Sequence, residues 1–393
     1  MSKIAFFCIP AHGHTNPTLG VVRELVRRGH QVKYYSYEPF RAVIEAAGAD
    51  FVPCDAYDAQ LGLTPKDGER IGKDLAFSTH ILVETTLALN DMVCRDMAAW
   101  QPDCVVADSM AAWGKAVALK LGIPFVSSTT TFAFNQESAK VMKQSFRELL
   151  AFFAAMPKIN KDVRRLQATG YPVKSVLDLI QNDQNTHTIV YTSPEFQPCA
   201  ESFSDKYAFV GPSVRPAREQ ITKTHEKLVY ISMGTVVNDR LALYKNCIAA
   251  LAGEDMQVIL SVGDQVDIAA LGPLPANVAV YPRVDQIAVL EKADAFLSHC
   301  GMNSASESLY FGVPLLCFPQ TKEQGGVAAR VTALGAGIML ENTSQSAIKA
   351  AVKLLLSDTK IRENAREIAR GFRRCAGPVA AADKIEQVIG NIT

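Results

Sequence analysis

Short apolar runs alternate along the chain with longer segments in which apolar residues recur every three or four positions. Residues 3–9 form the first apolar run, which predicts a buried strand. Residues 18–28 then place their apolar side chains on one helical face, and Gly29 follows where a helix commonly ends in a left-handed residue. The next strand is predicted at residues 31–35. A strand, a helix and a second strand in this order indicate a parallel sheet with crossover helices.

The same alternation continues through the rest of the chain. Further strands are predicted at residues 104–107, 124–127, 228–232, 258–262, 278–280, 295–298 and 315–318, with a helix of small residues at 111–121. The predicted fold class is α/β, with two doubly wound Rossmann-like sheets. In such sheets ligands bind beyond the carboxyl ends of the strands, so we expect the chemistry on the loops that follow them.

A polar segment with two prolines separates the two sheets. The predicted organisation is an N-terminal domain at residues 1–212, a linker at 213–227, and a C-terminal domain at 228–377. Gly377 and Pro378 interrupt the helical pattern before a last helix at 378–393, which we expect to pack back on the N-terminal domain. A chain of 393 residues is long enough for two hydrophobic cores.

Composition narrows the partners. Forty Lys and Arg residues balance forty Asp and Glu residues, which argues against nucleic acid and anionic membranes as partners and favours a small molecule. The nine cysteines are scattered without a CxxC pair, as expected for reduced thiols in the cytoplasm. No apolar run has the length of a membrane-spanning helix. Composition leaves the oligomeric state open between a monomer and a weak dimer.

The segment 298–307, SHCGMNSASE, carries the densest chemical signal. It follows a predicted strand and opens a helix, and the N–H groups of a helix N-terminus favour a negatively charged ligand such as a diphosphate. His299, Asn303 and Ser304 can donate hydrogen bonds to phosphates, whereas Glu307 can accept them from ribose hydroxyls. A second loop, SMGT at 232–235, follows the first strand of the same domain and is expected to close on the same phosphates.

This segment resembles the donor-binding motif of the family 1 glycosyltransferases. The family pattern H-x-G-x-N-S-x-x-E is followed by P-x-x-x-D/E-Q, and here the second part is met by Pro319, Glu323 and Gln324. The resemblance implies a GT-B architecture, in which two Rossmann-like domains face each other across a cleft. It also implies a UDP-sugar, by default UDP-glucose, as co-substrate, with Glu323 and Gln324 holding the sugar hydroxyls.

This chain departs from one part of the family pattern. Many members have W-x-P-Q where residues 283–286 read RVDQ, so Gln286 is retained while Arg283 and Asp285 replace Trp and Pro. A planar guanidinium can stack on a base, and arginine here resembles the bacterial macrolide-type branch. The predicted donor-binding residues are Ser232, Gly234, Thr235, Arg283, Val284, Gln286, His299, Gly301, Met302, Asn303, Ser304, Glu307, Glu323 and Gln324.

The first βα turn offers a base. Transfer of a sugar to an alcohol requires removal of the hydroxyl proton, and histidine is the natural base near neutral pH. Residues 10–17 read PAHGHTNP, and the family pattern G-H-x-x-P selects His14 over His12. A carboxylate on the far ring nitrogen would fix the tautomer, and Asp108 at a strand end is the predicted partner, ahead of Asp103.

The predicted reaction is a single displacement that inverts the anomeric carbon, without a metal ion or other cofactor. The acceptor is predicted to be a small apolar hydroxylated compound, such as a phenolic, a flavonoid or a macrolide. Aromatic and aliphatic residues at 129–134 and 146–156 are expected to wall its pocket, with Phe132, Phe134 and His12 as the predicted contacts.

Three other functions fit parts of the sequence. A dinucleotide-dependent oxidoreductase would share the α/β pattern, but the first βα turn lacks G-x-G-x-x-G. A peripheral membrane glycosyltransferase with a lipid acceptor would explain the basic residues that flank the apolar stretch within 140–165. A protein that binds nucleotide sugars without turnover would retain the same residues.

Overall fold

The computed structural model describes the backbone of residues 1–55, 74–141, 146–180, 182–235 and 237–390, and their side chains except at 75, 139–141 and 146–153. The chain divides into two compact units, Met1–Ser213 with Ala376–Thr393 and Val214–Cys375. It therefore leaves the first unit at the start of the segment predicted as a linker, and it returns to that unit just before the last helix.

The first unit is built on a seven-stranded sheet in the order β3-β2-β1-β4-β5-β6-β7. Every pair of neighbouring strands is parallel. The strands are β1 (Lys3–Phe7), β2 (Gln31–Ser36), β3 (Asp50–Pro53), β4 (Cys104–Asp108), β5 (Phe125–Thr129), β6 (His187–Val190) and β7 (Tyr207–Phe209). Because β1 lies between β2 and β4, the loops after β1 and β4 emerge side by side at the carboxyl edge.

Helices cover both faces of this sheet, as a parallel sheet requires. Up to residue 180 they are α1 (His12–Arg27), α2 (Arg41–Glu45), α3 (Leu75–Trp100), α4 (Ala112–Leu121), α5 (Gln136–Val141), α6 (Phe146–Ala168) and α7 (Leu177–Ile180). Phe7 and Tyr35 stack on one face at 4.4 Å, while Phe6 and Tyr34 stack on the other at 5.6 Å. The consecutive aromatic residues of β1 and β2 thus supply a separate core on each side.

The start of α1 differs from the prediction. The helix begins at His12 rather than near Thr18, with the amides of His14 and Thr15 bonded to the carbonyl of Ala11 at 3.0 and 2.9 Å. Pro17 lies inside the helix, although the residue before a proline is usually displaced from helical geometry. The predicted helix therefore starts too late in the chain, and His14 lies in the first helical turn.

The second unit repeats the plan with six parallel strands in the order β10-β9-β8-β11-β12-β13. The strands are β8 (Leu228–Ser232), β9 (Gln257–Ser261), β10 (Val278–Tyr281), β11 (Ala295–Ser298), β12 (Leu315–Cys317) and β13 (Gly337–Met339). The helices are α8 (Leu241–Leu251), α9 (Gln286–Leu290), α10 (Met302–Tyr310), α11 (Lys322–Ala333), α12 (Gln345–Ser357) and α13 (Thr359–Arg374). The predicted α/β class with two doubly wound sheets is confirmed.

The last helix, α14 (Pro378–Gly390), belongs to the first unit. Ala381 and Ile385 are fully buried in the core that α1 also enters. At the edge of this contact, the guanidinium of Arg28 lies 2.7 Å from Asp383 and 2.6 Å from Glu386. Apolar burial supplies most of the stabilisation, because exposed ion pairs contribute about 1 kcal/mol or less.

Candidate functional site

His14 and Asp108 lie together at the carboxyl edge of the first sheet. Nδ1 of His14 is 2.8 Å from Oδ2 of Asp108, which is the last residue of β4. The side chain of Asp108 is completely buried, whereas that of His14 is 20% exposed. The pairing follows from strand order, since β1 leads into α1 and its neighbour β4 ends on the aspartate.

The other oxygen of Asp108 is also held. Oδ1 accepts a hydrogen bond from the amide of Met110 at 2.9 Å, so the carboxylate cannot rotate freely. Burial raises the pKa of the neighbouring Cys8 thiol, and the negative charge of Asp108 raises it further. That thiol therefore stays protonated near neutral pH and cannot compete with the imidazole as a base.

The two weaker candidates for this pair lie elsewhere. Asp103 precedes β4, and its carboxylate accepts a hydrogen bond from the amide of Lys3 at 2.7 Å, at the opposite edge of the sheet. The exposed ring of His12 meets Phe40 edge-on at 4.9 Å. Of the two histidines and two aspartates considered from the sequence, the structure pairs His14 with Asp108.

The predicted acceptor residues differ in accessibility. Phe132 is buried and packs against Phe196 at 5.5 Å, whereas Phe134 is 51% exposed. The predicted wall at 146–156 lies in α6, but its side chains up to residue 153 are outside the described residues. Farther along α6, Ile159 and Val163 are buried in the core that α3 also enters. At Ile159 and Val163, α6 is thus covered by protein.

The second unit places a helix N-terminus at the carboxyl edge of its sheet. The helix α10 follows the central strand β11, with Gly301 as its N-cap and no side chain capping it. The first N–H groups of a helix lack partners within the helix, and its dipole favours negative charge there. Met302, Asn303 and Ser304 form this first turn, as the sequence predicted for a diphosphate site.

The ring of His299 lies close to two glycines. A Cβ on Gly234 would lie 2.5 Å from Cε1 of the ring, and one on Gly301 would lie 2.5 Å from Nε2. Burial lowers the pKa of His299 to about 4, opposed only in part by the backbone of Ser232. His299 is therefore neutral near pH 7, and its buried Nδ1 has no hydrogen-bond partner among the described residues.

Gln286 and Glu307 meet below the first turn of α10. Nε2 of Gln286 donates to Oε2 of Glu307 at 2.5 Å and lies 3.4 Å from Oγ of Ser304. Burial raises the pKa of Glu307, although the hydrogen bond from Gln286 opposes the shift. Two residues predicted to hold the nucleoside are thus hydrogen-bonded to each other. Burial makes ionisation of the Glu307 carboxyl group cost free energy.

Asp285, which replaces the proline of the family pattern, caps a helix and contacts the segment that contains Arg215. It is the N-cap of α9, and its Oδ1 accepts the amide of Ile287 at 3.2 Å. Its Oδ2 is 3.2 Å from Nη1 of Arg215 and accepts the amide of Arg218 at 2.5 Å. Burial would raise the pKa of Asp285, but these contacts lower it below its usual value. The substitution therefore secures the backbone beside Gln286.

Arg283, which replaces the tryptophan, is exposed and pairs with Asp264. Its Nε is 3.0 Å from Oδ2 of Asp264, and this pairing raises the pKa of Arg283 above its usual value. Nε also lies 3.2 Å from Oδ1, and Nη2 contacts Oδ2, so the pair is bidentate. Asp264 was not singled out from the sequence, because an acidic residue after a strand carries no signal by itself.

The remaining predicted donor residues lie on neighbouring loops. Oγ of Ser232 accepts the amide of Gly234 at 3.3 Å, and the next residue, Thr235, is exposed. Val284 is half-buried. Glu323 and Gln324 occupy the first turn of α11, where Oε1 of Gln324 accepts the amide of Gln320 at 2.8 Å.

Within the described part of the chain, one group of side chains could hold a metal ion. His80, Glu84 and Asp162 bring their ligand atoms within 4.8 Å of one another. Arg165 contacts Glu84 and lies 3.3 Å from Asp162, so a guanidinium already neutralises both carboxylates. The hydrogen bond with Arg165 lowers the pKa of Glu84 and outweighs burial, which would raise it.

Glu307 gives a testable consequence for stability. At pH 7 the unfolded chain carries an ionised glutamate, whereas burial disfavours that charge in the folded protein. We expect Glu307→Gln to raise the Tm of the ligand-free enzyme at pH 7, since the neutral amide has no ionised form for burial to disfavour. Differential scanning calorimetry measures this shift.

The sign of this effect fixes its pH dependence. A raised pKa means that the folded state binds the proton more tightly, so the penalty grows as the pH rises through the folded-state pKa. The difference in Tm between Glu307→Gln and the parent enzyme should therefore shrink as the pH falls towards 4. A Tm advantage that does not change with pH would contradict the account.

Comparisons with known proteins show the family to which the chain belongs. A family model described as the C-terminal domain of erythromycin biosynthesis protein CIII-like proteins matches residues 245–388. The chain is 33% identical over 394 residues to NDP-glycosyltransferase YjiC of Bacillus subtilis (strain 168), covering 98% of this chain and 96% of that protein. It is 30% identical over 411 residues to demethyllactenocin mycarosyltransferase of Streptomyces fradiae, covering 99% of this chain and 87% of that protein.

Solved structures show the same fold. The glycotransferase of kitacinnamycin superposes with a TM-score of 0.86 at 28% identity, covering 98% of both chains. The calicheamicin glycosyltransferase superposes with a TM-score of 0.82 at 28% identity, covering 100% of this chain and 99% of that one. Among the described residues, no helix is both long and apolar enough to cross a membrane. The chain is a glycosyltransferase of the GT-B fold and belongs to the macrolide-type branch of family 1.

Proposed function

We propose that this enzyme transfers a hexose, by default glucose from UDP-glucose, to a hydroxyl group of a small apolar acceptor such as a phenolic, a flavonoid or a macrolide. The observation that carries the proposal is the 2.8 Å contact between Nδ1 of His14 and the buried carboxylate of Asp108. A carboxylate only accepts hydrogen bonds, so it holds the proton on Nδ1 and makes Nε2 the basic nitrogen.

The reaction follows from this tautomer. Nε2 of His14 removes the acceptor proton as the acceptor oxygen attacks the anomeric carbon, and the bond from that carbon to the diphosphate oxygen breaks on the opposite face. Asp108 stabilises the imidazolium that forms. A single displacement inverts the configuration, so an α-linked donor gives a β-glycoside.

The leaving diphosphate needs a site that favours negative charge. The first turn of α10 offers N–H groups and the positive end of the helix dipole. His299, neutral in the ligand-free protein, can donate one further hydrogen bond from its ring. These groups stabilise the leaving charge without a metal ion, and we propose that the enzyme is active in EDTA.

The names of two relatives support a nucleotide-sugar donor. One is an NDP-glycosyltransferase and the other a mycarosyltransferase, so transfer within the family is not restricted to glucose. The bidentate pair of Arg283 with Asp264 presents a flat cationic surface, which can stack on a pyrimidine base. Donor base selection in this chain is therefore expected to depend on Arg283 rather than on an indole.

A donor panel tests the proposal. The purified enzyme is incubated in EDTA with UDP- and TDP-sugars and a broad phenolic acceptor, and the products are identified by mass and by the anomeric coupling constant. We expect transfer from UDP-glucose with a β-linked product. An α-linked product would exclude the single displacement, and an absence of product with every donor would exclude the proposed activity.

A further inference from the structure

A third side chain reaches the nitrogen that connects His14 to Asp108. Oγ1 of Thr130 lies 3.1 Å from Nδ1 of His14, the same atom that is 2.8 Å from Oδ2 of Asp108. Thr130 is buried, directly after the last residue of β5. Because β5 is the neighbour of β4, the hydroxyl and the carboxylate approach the ring from adjacent strand ends.

The chemistry of the three groups sets the direction of these hydrogen bonds. When Nε2 is the basic nitrogen, Nδ1 carries a proton, and an ionised carboxylate can only accept it. The hydroxyl oxygen of Thr130 then accepts from the same N–H, which is shared between two oxygens. Two acceptors, placed on one side of the ring by different strands, restrict its rotation more than one acceptor does.

The hydroxyl is itself firmly placed. The amide of Ser109 bonds to the carbonyl of Ser128 at 3.0 Å, and the amide of Tyr191 bonds to the carbonyl of Thr129 at 3.2 Å. The end of β5 is thus tied to the chain that follows both of its neighbours. Threonine adds its own stiffness, because branching at Cβ restricts the first side-chain torsion.

We propose that Thr130 is a positioning residue for the proposed base: it fixes, together with Asp108, the orientation and the tautomer of the His14 imidazole. This assignment rests on the proposed function of His14. Thr130 contacts the side of the ring opposite to the basic nitrogen, so it acts through His14 on the rate of proton removal.

Two substitutions separate this role from packing. Thr130→Val keeps the shape and the branched Cβ but removes the oxygen, whereas Thr130→Ser keeps the oxygen and removes a methyl group. We expect Thr130→Val to lower kcat about five- to thirty-fold, as loss of one hydrogen bond to a group that becomes charged would do, with the acceptor KM nearly unchanged. Thr130→Ser should restore most of the rate. Equal kcat values for Thr130→Val and the parent enzyme, or equal losses in both variants, would overturn the assignment.

A second measurement does not depend on turnover. In protein labelled with ¹⁵N-histidine, the ring nitrogens of His14 report the tautomer directly, and the His14→Ala variant assigns their signals among the seven histidines. We expect Thr130→Val to shift the Nδ1 resonance and to raise the fraction protonated on Nε2, whereas Thr130→Ser leaves both unchanged. An unaltered Nδ1 signal in Thr130→Val would refute the positioning role even if the enzyme transferred no sugar, whereas absent transfer alone would count against the proposed function.

Discussion

Replacement of His14 by alanine is expected to lower kcat about a thousand-fold, within the range that a positioned general base contributes. The reason lies in the geometry of the pair: Asp108 is buried and held by the amide of Met110, so it orients the ring but has no access to an acceptor hydroxyl. Without the imidazole, the proton must pass to water. Initial-rate kinetics at saturating donor and acceptor measure the loss.

Binding of UDP provides the control on the same protein. The proposed diphosphate site lies entirely on the second unit, whereas His14 belongs to the first. The dissociation constant of UDP, measured by isothermal titration calorimetry, should therefore stay within about twofold of the parent value, since the substitution lies outside the unit that carries the proposed diphosphate site.

His12→Ala is the matched variant for this experiment. It removes the same type of side chain two residues earlier in the chain. The ring of His12 contacts Phe40 rather than a carboxylate. We expect its kcat to remain within about threefold of the parent value, because it takes no part in proton transfer, while the acceptor KM is free to change. Near-parental turnover in His14→Ala, or a larger loss in His12→Ala, would refute the assignment of the base.

The sequence predicted which residues lie together at the carboxyl edges of the sheets better than it predicted the contacts that hold them. His14, Asp108 and the 298–307 segment could be predicted because each follows a predicted apolar strand. The carboxyl ends of parallel strands meet at one edge of a sheet. The short strands β3, β6, β7 and β13 were missed, since three or four residues give too little periodicity to recognise.

The supporting contacts join residues that are far apart in the chain. Thr130 and His14 are 116 positions apart, and Arg215 and Asp285 are 70 apart. No local pattern predicts such a pair, since only the tertiary fold brings the two partners together. Asp285 shows the consequence: from the sequence it was a departure from a family pattern, and in the structure it is a helix cap paired with Arg215.

Gly301→Ala is expected to weaken UDP binding about a hundred-fold and to destabilise the enzyme by about 1–3 kcal/mol, the usual cost of overpacking a close contact. The added Cβ would lie 2.5 Å from Nε2 of His299, and the ring is also so close to Gly234 that a Cβ there would lie 2.5 Å from Cε1. The ring must leave its place at the start of α10. Calorimetry with UDP and thermal unfolding measure the two effects.

Backbone strain does not contribute to this prediction. Gly301 has φ −59° and ψ 142°, a conformation that alanine adopts readily, so the expected loss comes from the Cβ alone. Gly390→Ala is the matched control, because a Cβ there meets no other described atom within 4 Å. That variant should retain the parent affinity for UDP and the parent Tm.

A double-mutant cycle with His299→Ala separates the clash from other causes. When the imidazole is absent, a methyl group at position 301 has nothing to displace, so Gly301→Ala should cost little further stability in the His299→Ala background. UDP affinity should remain low in the double variant, because the ring that would contact the diphosphate is missing. If Gly301→Ala destabilises both backgrounds equally, a clash with the His299 ring is not the source of the effect. If the double variant binds UDP as tightly as the parent enzyme, His299 is not part of the diphosphate site.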